Sequence, residues 1–196
     1  AAVLRRLGWE PGPPVVGYLG RFVPEKGLRL LTRALDAVRS PWRAAFVGGG
    51  PMEAELKGWA ARHAADDRVR VVTGVPHDAV PGYVNAMDVL AAPSQTIPRW
   101  REQLGRMLIE GFACGVPVVA SDSGEIPFVV GDSGRVVGEA DEPGWAAALG
   151  ELIDSPGLRA ELAARGRDRV GEFSWDVVGR QHLAFFESLL GGGGGR

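Results

Sequence analysis

The stretch EQLGRMLIEGFACGVPVVASDSGEIP, residues 102–127, decides the fold of this chain. A helical run beginning after Gln103 closes at Cys114-Gly115, and an apolar strand, residues 116–121, follows at once. A strand this apolar on both faces belongs in a sheet covered on both sides by helices. The same stretch carries two carboxylates eight positions apart, Glu102 at the entrance to the helix and Glu110 inside it. That arrangement can set a carboxylate and free backbone N–H groups against one small polar ligand.

Outward from this unit, strand and helix patterns alternate. Strands are expected at residues 15–20, 43–48, 69–73 and 89–92, with a short sixth at 135–137. Helices are expected at 28–38, 52–63 and 80–87. Such alternation implies parallel strands joined by right-handed crossovers. The expected fold is therefore α/β, a Rossmann-like doubly wound parallel sheet with helices on both faces. Three helical segments close the chain, at 143–154, 156–170 and 175–190. Ser155 and Ser174 are candidate caps for the last two, with Pro156 in the first turn. The final helix carries Val177, Val178, Leu183, Phe186, Leu189 and Leu190, an apolar stripe wanting a partner surface. Residues 191–196, five glycines and Arg196, are expected to be disordered.

Hydrophobic residues make up 45% of the chain, enough for one well-cored domain. The formal net charge of −2 gives no global field for nucleic acid or an anionic membrane. A single cysteine, Cys114, excludes an internal disulfide and favours a reducing compartment; it reads as a small core residue rather than a nucleophile. No signal-peptide pattern and no membrane-length apolar run is present. The chain opens on Ala rather than Met, so it reads as either processed or excised from something longer. His63, His77 and His182 are scattered without metal-ligand spacing. No Asp-x-Asp occurs, so no metal-chelated diphosphate and no cofactor is expected.

In open parallel sheets, ligands collect beyond the carboxyl ends of the strands. Four segments at that edge are candidates. In the first, residues 20–27, Arg21 and Lys26 suit a diphosphate; the plainer alternative pairs Arg21 with Glu25 and leaves Lys26 solvated. The second is the triple glycine around Gly49, where backbone can approach a ligand, or which is simply a tight turn. The third, residues 74–78 with Val75, can lay amides along a base edge, although Asp78 also suits a helix cap. The fourth is the opening stretch. Eight helical residues would put Glu102 and Glu110 about 12 Å apart along the axis and roughly 80° apart in azimuth. They are thus not a glycosidase pair acting on one bond, and more readily touch different parts of one extended ligand. Amides at Gln103, Leu104 and Gly105 at a helix N-terminus suit phosphate. Glu102 alternatively only favours the helix dipole. Glu110, between Ile109 and Phe112 in a mostly buried helix, should need a partner, and a ribose diol would serve. Trp100, between Arg99 and Arg101, either covers the site or caps the core edge.

At these residues the chain resembles the retaining glycosyltransferases of family 4, built from two Rossmann-like domains in the GT-B architecture. The carriers are GRFVPEKG at 20–27, FVGGGP at 46–51, the VTGVP turn, and residues 102–127 with the family's Glu-x7-Glu signature. The match covers nearly the whole chain, but only the family's second, donor-binding domain. One departure is Leu104, where the family often has Phe. The resemblance implies that Arg21 and Lys26 bind the donor diphosphate and that Glu102 meets hydroxyls of the transferred sugar. It further implies that Gln103, Leu104 and Gly105 offer backbone to sugar and phosphate, that Glu110 holds the ribose, and that Val75 contacts the base. It implies a nucleotide-diphospho-sugar donor, transfer of a hexose with retention by a front-face route, and leaving-group stabilisation by Arg21, Lys26 and the helix N-terminus. Catalytic residues would be Glu102, Arg21 and Lys26, without metal. The acceptor site would lie on a missing N-terminal domain, so this half alone would turn over poorly or not at all. Residues 1–14 then read as a linker remnant, 15–173 as the nucleotide-sugar domain, and 174–190 as a helix crossing back toward the missing half. A cytoplasmic location follows, with contact at the inner membrane face if the acceptor is a lipid. Two other readings remain: a sugar-nucleotide epimerase on the same architecture, and a non-catalytic binding or scaffold module.

Overall fold

The computed structural model describes residues 2–191. Six parallel strands form one sheet in the order β3-β2-β1-β4-β5-β6. They are β1 (Val15–Arg21), β2 (Arg43–Gly49), β3 (Val69–Val72), β4 (Val89–Ala92), β5 (Val118–Ser121) and β6 (Gly134–Val137). This is the doubly wound order whose direction reverses between β1 and β4, where a crevice opens beyond the carboxyl ends. Register brings Arg21 beside Gly49 and Ala92 beside Ala120, so these strand ends share one edge.

Both faces of the sheet are covered. Val89, Ala91 and Val119 pack into one core cluster with Leu31, Leu35, Phe46, Trp145 and Leu149. Leu90, Ala92, Val118 and Ala120 alternate into a second, with Leu108, Phe112, Ile126 and Val130. Side chains on a strand alternate between faces. Double coverage therefore turns β4 and β5 into unbroken apolar runs, as their sequences indicate.

The helices are α1 (Ala2–Arg6), α2 (Leu28–Ala37), α3 (Glu53–Arg62), α4 (Val80–Val84), α5 (Arg106–Ala113), α6 (Ile126–Val130), α7 (Glu142–Asp154), α8 (Pro156–Arg169) and α9 (Trp175–Gly191). Ser155 caps α8 by accepting from Leu158 N at 3.2 Å, and Ser174 accepts from Val177 N at 3.4 Å. Three departures from the sequence reading stand out. The α5 helix starts at Arg106 rather than after Gln103, because Gly105 ahead of it is left-handed (φ 69°). The short α6 has no counterpart in the sequence reading. Residues 2–9, expected as a linker remnant, dock on the domain: Leu7 and Trp9 are buried against Val15 and Ala45, and the Trp9 indole donates to Asp67 O at 2.8 Å.

The apolar side of α9 is exposed at Trp175, Leu183, Phe185, Phe186, Leu189 and Leu190. Among the described residues, no helix is long and apolar enough to cross a membrane. The expectation of a disordered glycine tail at 191–196 falls outside the described residues, except that Gly191 ends α9.

Candidate functional site

At the carboxyl edge, β1 runs into a 3-10 turn at Pro24–Lys26, then into α2 through Gly27. Gly27 is left-handed (φ 67°), and a Cβ there would lie 1.7 Å from Pro93 O. Only glycine lets this turn press against the end of β4. The contact brings Lys26 over the loop that carries Glu102.

The two side chains form an ion pair between Lys26 Nζ and Glu102 Oε2, with 16% and 12% of the side chains exposed. Ser94, buried just past β4, donates from Oγ to the same oxygen at 2.9 Å. The Gly105 N–H donates to Glu102 Oε1 at 3.3 Å. Lys26 Nζ also lies 4.9 Å from the centroid of the Trp100 ring. A carboxylate offers about four acceptor positions. Among the described residues three are used, and the one left is on Oε1, where a hydroxyl can donate.

The backbone of Glu102 is fixed separately. Its carbonyl accepts from Glu125 N at 3.0 Å. Gly124 (φ 59°) lies so close that a Cβ there would stand 1.9 Å from Glu102 O. Thr96 Oγ1 and Ser123 Oγ, 2.9 Å apart, tie the same turn to the β4 loop. Neither Ser94 nor this turn was singled out from the sequence. The SDSGEIP run, rich in turn formers directly after a strand, was the available signal.

The Glu102 carboxyl is pulled two ways. Burial raises its pKa, but the Lys26 hydrogen bond and charge, with Ser94 and the Gly105 N–H, outweigh burial and hold it below the ordinary 4.5. A lowered carboxyl adds stability that is complete above its unfolded value and drains away as pH falls through its folded one. The melting temperature of the wild type should therefore drop more steeply below pH 4.5 than that of Glu102→Gln. Parallel melting curves for the two proteins would contradict this assignment. Nearby, the Tyr18 hydroxyl donates to Arg21 O at 2.8 Å. Burial first, then the Glu102 charge, push this phenol far up, so it stays protonated.

Other expected residues are placed less tightly. Arg21 is 67% exposed and 3.8 Å from Glu25, so half of the plainer alternative holds, while Lys26 is paired rather than solvated. The triple glycine is mainly a packing device: a Cβ on Gly48 would lie 1.8 Å from Gly20 O, whereas Gly49 faces open space. Val75 packs partly onto the second core cluster. The Gln103 and Leu104 amides have no partner among the described residues, but that of Gly105 is taken by Glu102. These three amides precede the helix rather than forming its first turn.

Glu110 is not interior as expected. The buried face of α5 is Leu108, Gly111 and Phe112. Glu110 lies off that face, 34% exposed and 3.8 Å from Arg106. It lines a cavity of about 220 Å³ with His77, Val80, Pro81 and Cys114. Burial, then the Glu110 charge, raise the Cys114 thiol, which fits a packing role rather than a nucleophile. Glu102 lines a different and larger cavity of about 770 Å³, with Thr96, Arg99, Trp100, Arg101, Gln103 and Glu125. The single groove expected from the sequence is thus two depressions. Gln103 borders one and Arg106 the other. Among the described residues, no group of three His, Cys, Asp or Glu side chains is placed to hold a metal ion.

Comparison with known proteins agrees with this architecture. The family described as glycosyl transferases group 1 matches residues 3–169. The GDP-mannose-dependent alpha-(1-6)-phosphatidylinositol monomannoside mannosyltransferase of Mycolicibacterium smegmatis is 38% identical over 79% of this chain and 42% of its own length. The D-inositol 3-phosphate glycosyltransferase of Salinispora arenicola is 35% identical over 90% of this chain and 41% of its own length. Among solved structures, Anabaena Alr3699/HepE in complex with UDP-glucose superposes with a TM-score of 0.78 at 25% identity, over 95% of this chain and 51% of that one. The chain therefore spans about half or less of the length of each of these three proteins.

Proposed function

Because the chain belongs to the group 1 glycosyltransferases, we propose that it is the donor-binding half of a retaining hexosyltransferase. Its donor would be a nucleotide-diphospho-sugar, as the UDP-glucose bound by the Anabaena relative and the GDP-mannose dependence of the mycobacterial one suggest. Its acceptor would be held by a further domain, corresponding to the part of its relatives that this chain does not span. The mycobacterial relative acts on a phosphatidylinositol derivative, so a lipid acceptor and peripheral membrane contact belong to the same proposal.

The observation that carries the reading is the Lys26–Glu102 ion pair, braced by Ser94 beside the crevice at the β1–β4 reversal. The donor would lie across the loop between the two depressions. Its nucleoside would sit beside Glu110 and the 74–80 segment. Its diphosphate would pass over the Gln103 and Leu104 amides, with Arg21 and Lys26 as countercharges. Its sugar would reach the spare acceptor of Glu102. In transfer, the bond from the anomeric carbon to the diphosphate oxygen breaks, and the leaving oxygen takes the electron pair. Lys26 has three N–H donors, so it can hold Glu102 and still donate to that oxygen. Charge appearing there is stabilised where the donors are already fixed. The acceptor hydroxyl would attack from the face the diphosphate leaves and pass its proton to the departing diphosphate oxygen, giving retention without a protein nucleophile. We propose the step as metal-independent, since two cationic side chains are available to the diphosphate.

Calorimetry with UDP, GDP and ADP tests the reading. Glu110→Ala and Arg21→Ala should each weaken the preferred nucleotide roughly 10-fold or more, the scale of a lost hydrogen bond to a charged group. Affinities unchanged in both variants would remove this placement.

A further inference from the structure

The larger cavity holds more charge than the proposed donor uses. Arg99 and Arg101 both line it and are both exposed. Neither has an ion pair or a hydrogen bond among the described residues, unlike the Arg side chains at 29, 33, 135 and 165. The cation nearest the site, Lys26, is already matched to Glu102. The lining thus presents two guanidinium groups against one unmatched carboxylate, that of Glu125.

The loop holding them is preorganised. Ile97 and Trp100 exchange backbone hydrogen bonds of 2.8 and 3.0 Å, closing a tight turn just ahead of Arg101. Its base is tied down by Gln95 Nε2 donating to Glu139 O at 3.0 Å, by Thr96 N donating to the Glu139 carboxylate at 2.6 Å, and by Gln95 N donating to Glu25 O at 2.8 Å. Two guanidiniums, one on the braced turn and one directly after it, match a phosphate group, whose oxygens take paired N–H donors. The cavity, at about 770 Å³, is of ordinary ligand-site size, roughly 300–1,000 Å³.

We infer that Arg99 and Arg101 form a second anion subsite, separate from the donor diphosphate, which binds a phosphate ester on the end of the acceptor that reaches this chain while the rest of the acceptor is held by the further domain. The inference rests on the donor reading for the word acceptor, but not for the site itself. Glu102 lines the same cavity, so an ester bound there lies next to the position proposed for the transferred sugar. Glu125 in the same lining offers an oxygen to hydroxyls beside the phosphate.

The test is a titration with glycerol 1-phosphate, with and without saturating nucleoside diphosphate, on wild type, Arg99→Gln/Arg101→Gln and Arg99→Lys/Arg101→Lys. The subsite predicts that the ester binds while nucleotide is bound. The glutamine pair should weaken ester binding at least 10-fold and nucleotide binding less than twofold, and the lysine pair should retain an intermediate affinity. Sedimentation with phosphatidylcholine vesicles, with or without phosphatidylglycerol, separates the two sources of the phosphate. Arginine-dependent retention on the anionic vesicles alone assigns a lipid headgroup, and ester binding without retention assigns a soluble one. Ester affinity unchanged in the glutamine pair, or nucleotide affinity lost in parallel with it, overturns the subsite. Arginine-dependent ester binding in a protein that binds no nucleoside diphosphate supports the subsite and removes the donor reading instead.

Discussion

Lys26→Ala is expected to lower kcat/KM for glycosyl transfer by roughly 10²–10³-fold in the complete protein, the usual cost of removing one fixed donor from developing negative charge. In the proposed transfer, the substitution removes the countercharge from the leaving oxygen. It also leaves Glu102 with only Ser94 and the Gly105 N–H, so the carboxylate loses its charged partner. Lys26→Arg should restore little. The ammonium reaches Glu102 and Trp100 together from a turn pressed against Pro93, and a planar guanidinium fork does not fit a point-charge site. The chain has 20 arginines and only two lysines, so lysine here is not a matter of general composition. A Lys26→Ala variant with wild-type kcat/KM would take this residue out of the reaction.

Gly124→Ala should be nearly as damaging, although residue 124 touches no proposed substrate. The methyl would enter 1.9 Å from Glu102 O, and the residue would have to hold φ 59°. A left-handed non-glycine residue alone costs about 1–2 kcal/mol. The larger consequence is displacement of the Glu102 backbone, because the turn must open to admit the methyl. Misplacing a reacting group by about 1 Å can cost roughly 100-fold in rate. Kinetics and a melting curve together check this. The expected result is a large fall in kcat with a folded protein; unchanged kinetics would mean that this turn does not set the site.

Much of the fold was legible because double burial leaves its mark on sequence. The runs VLAA at β4 and VVAS at β5 have no polar alternation, and only a sheet covered on both faces requires that. Helix boundaries were less legible. The residues ahead of α5 have helical composition, but left-handed Gly105 stops the helix from extending back to Gln103. The five-residue α6 is too short for its periodicity to show. In the site, Lys26 and Glu102 were both readable as charged residues at strand–helix loops. Their union was not, since it depends on a contact between residues 27 and 93 that no local pattern records. The position of Glu110 is hidden in the sequence for a related reason. Its neighbours Ile109 and Phe112 suggested an interior position, but only one stripe of an eight-residue helix is buried, and Glu110 lies beside it.

In the proposed complex, a nucleotide-diphospho-sugar lies across the 103–105 loop between Lys26 and Glu110. Backbone amide shifts of the isotopically labelled chain, recorded during titration with UDP-glucose, GDP-mannose and ADP-glucose, test it most directly. At least one donor should move Lys26, Gly49, Gln103, Leu104 and the 74–77 segment together, at the same ligand concentration. Shifts confined to another edge of the sheet, or none with any of the three donors, would rule this placement out.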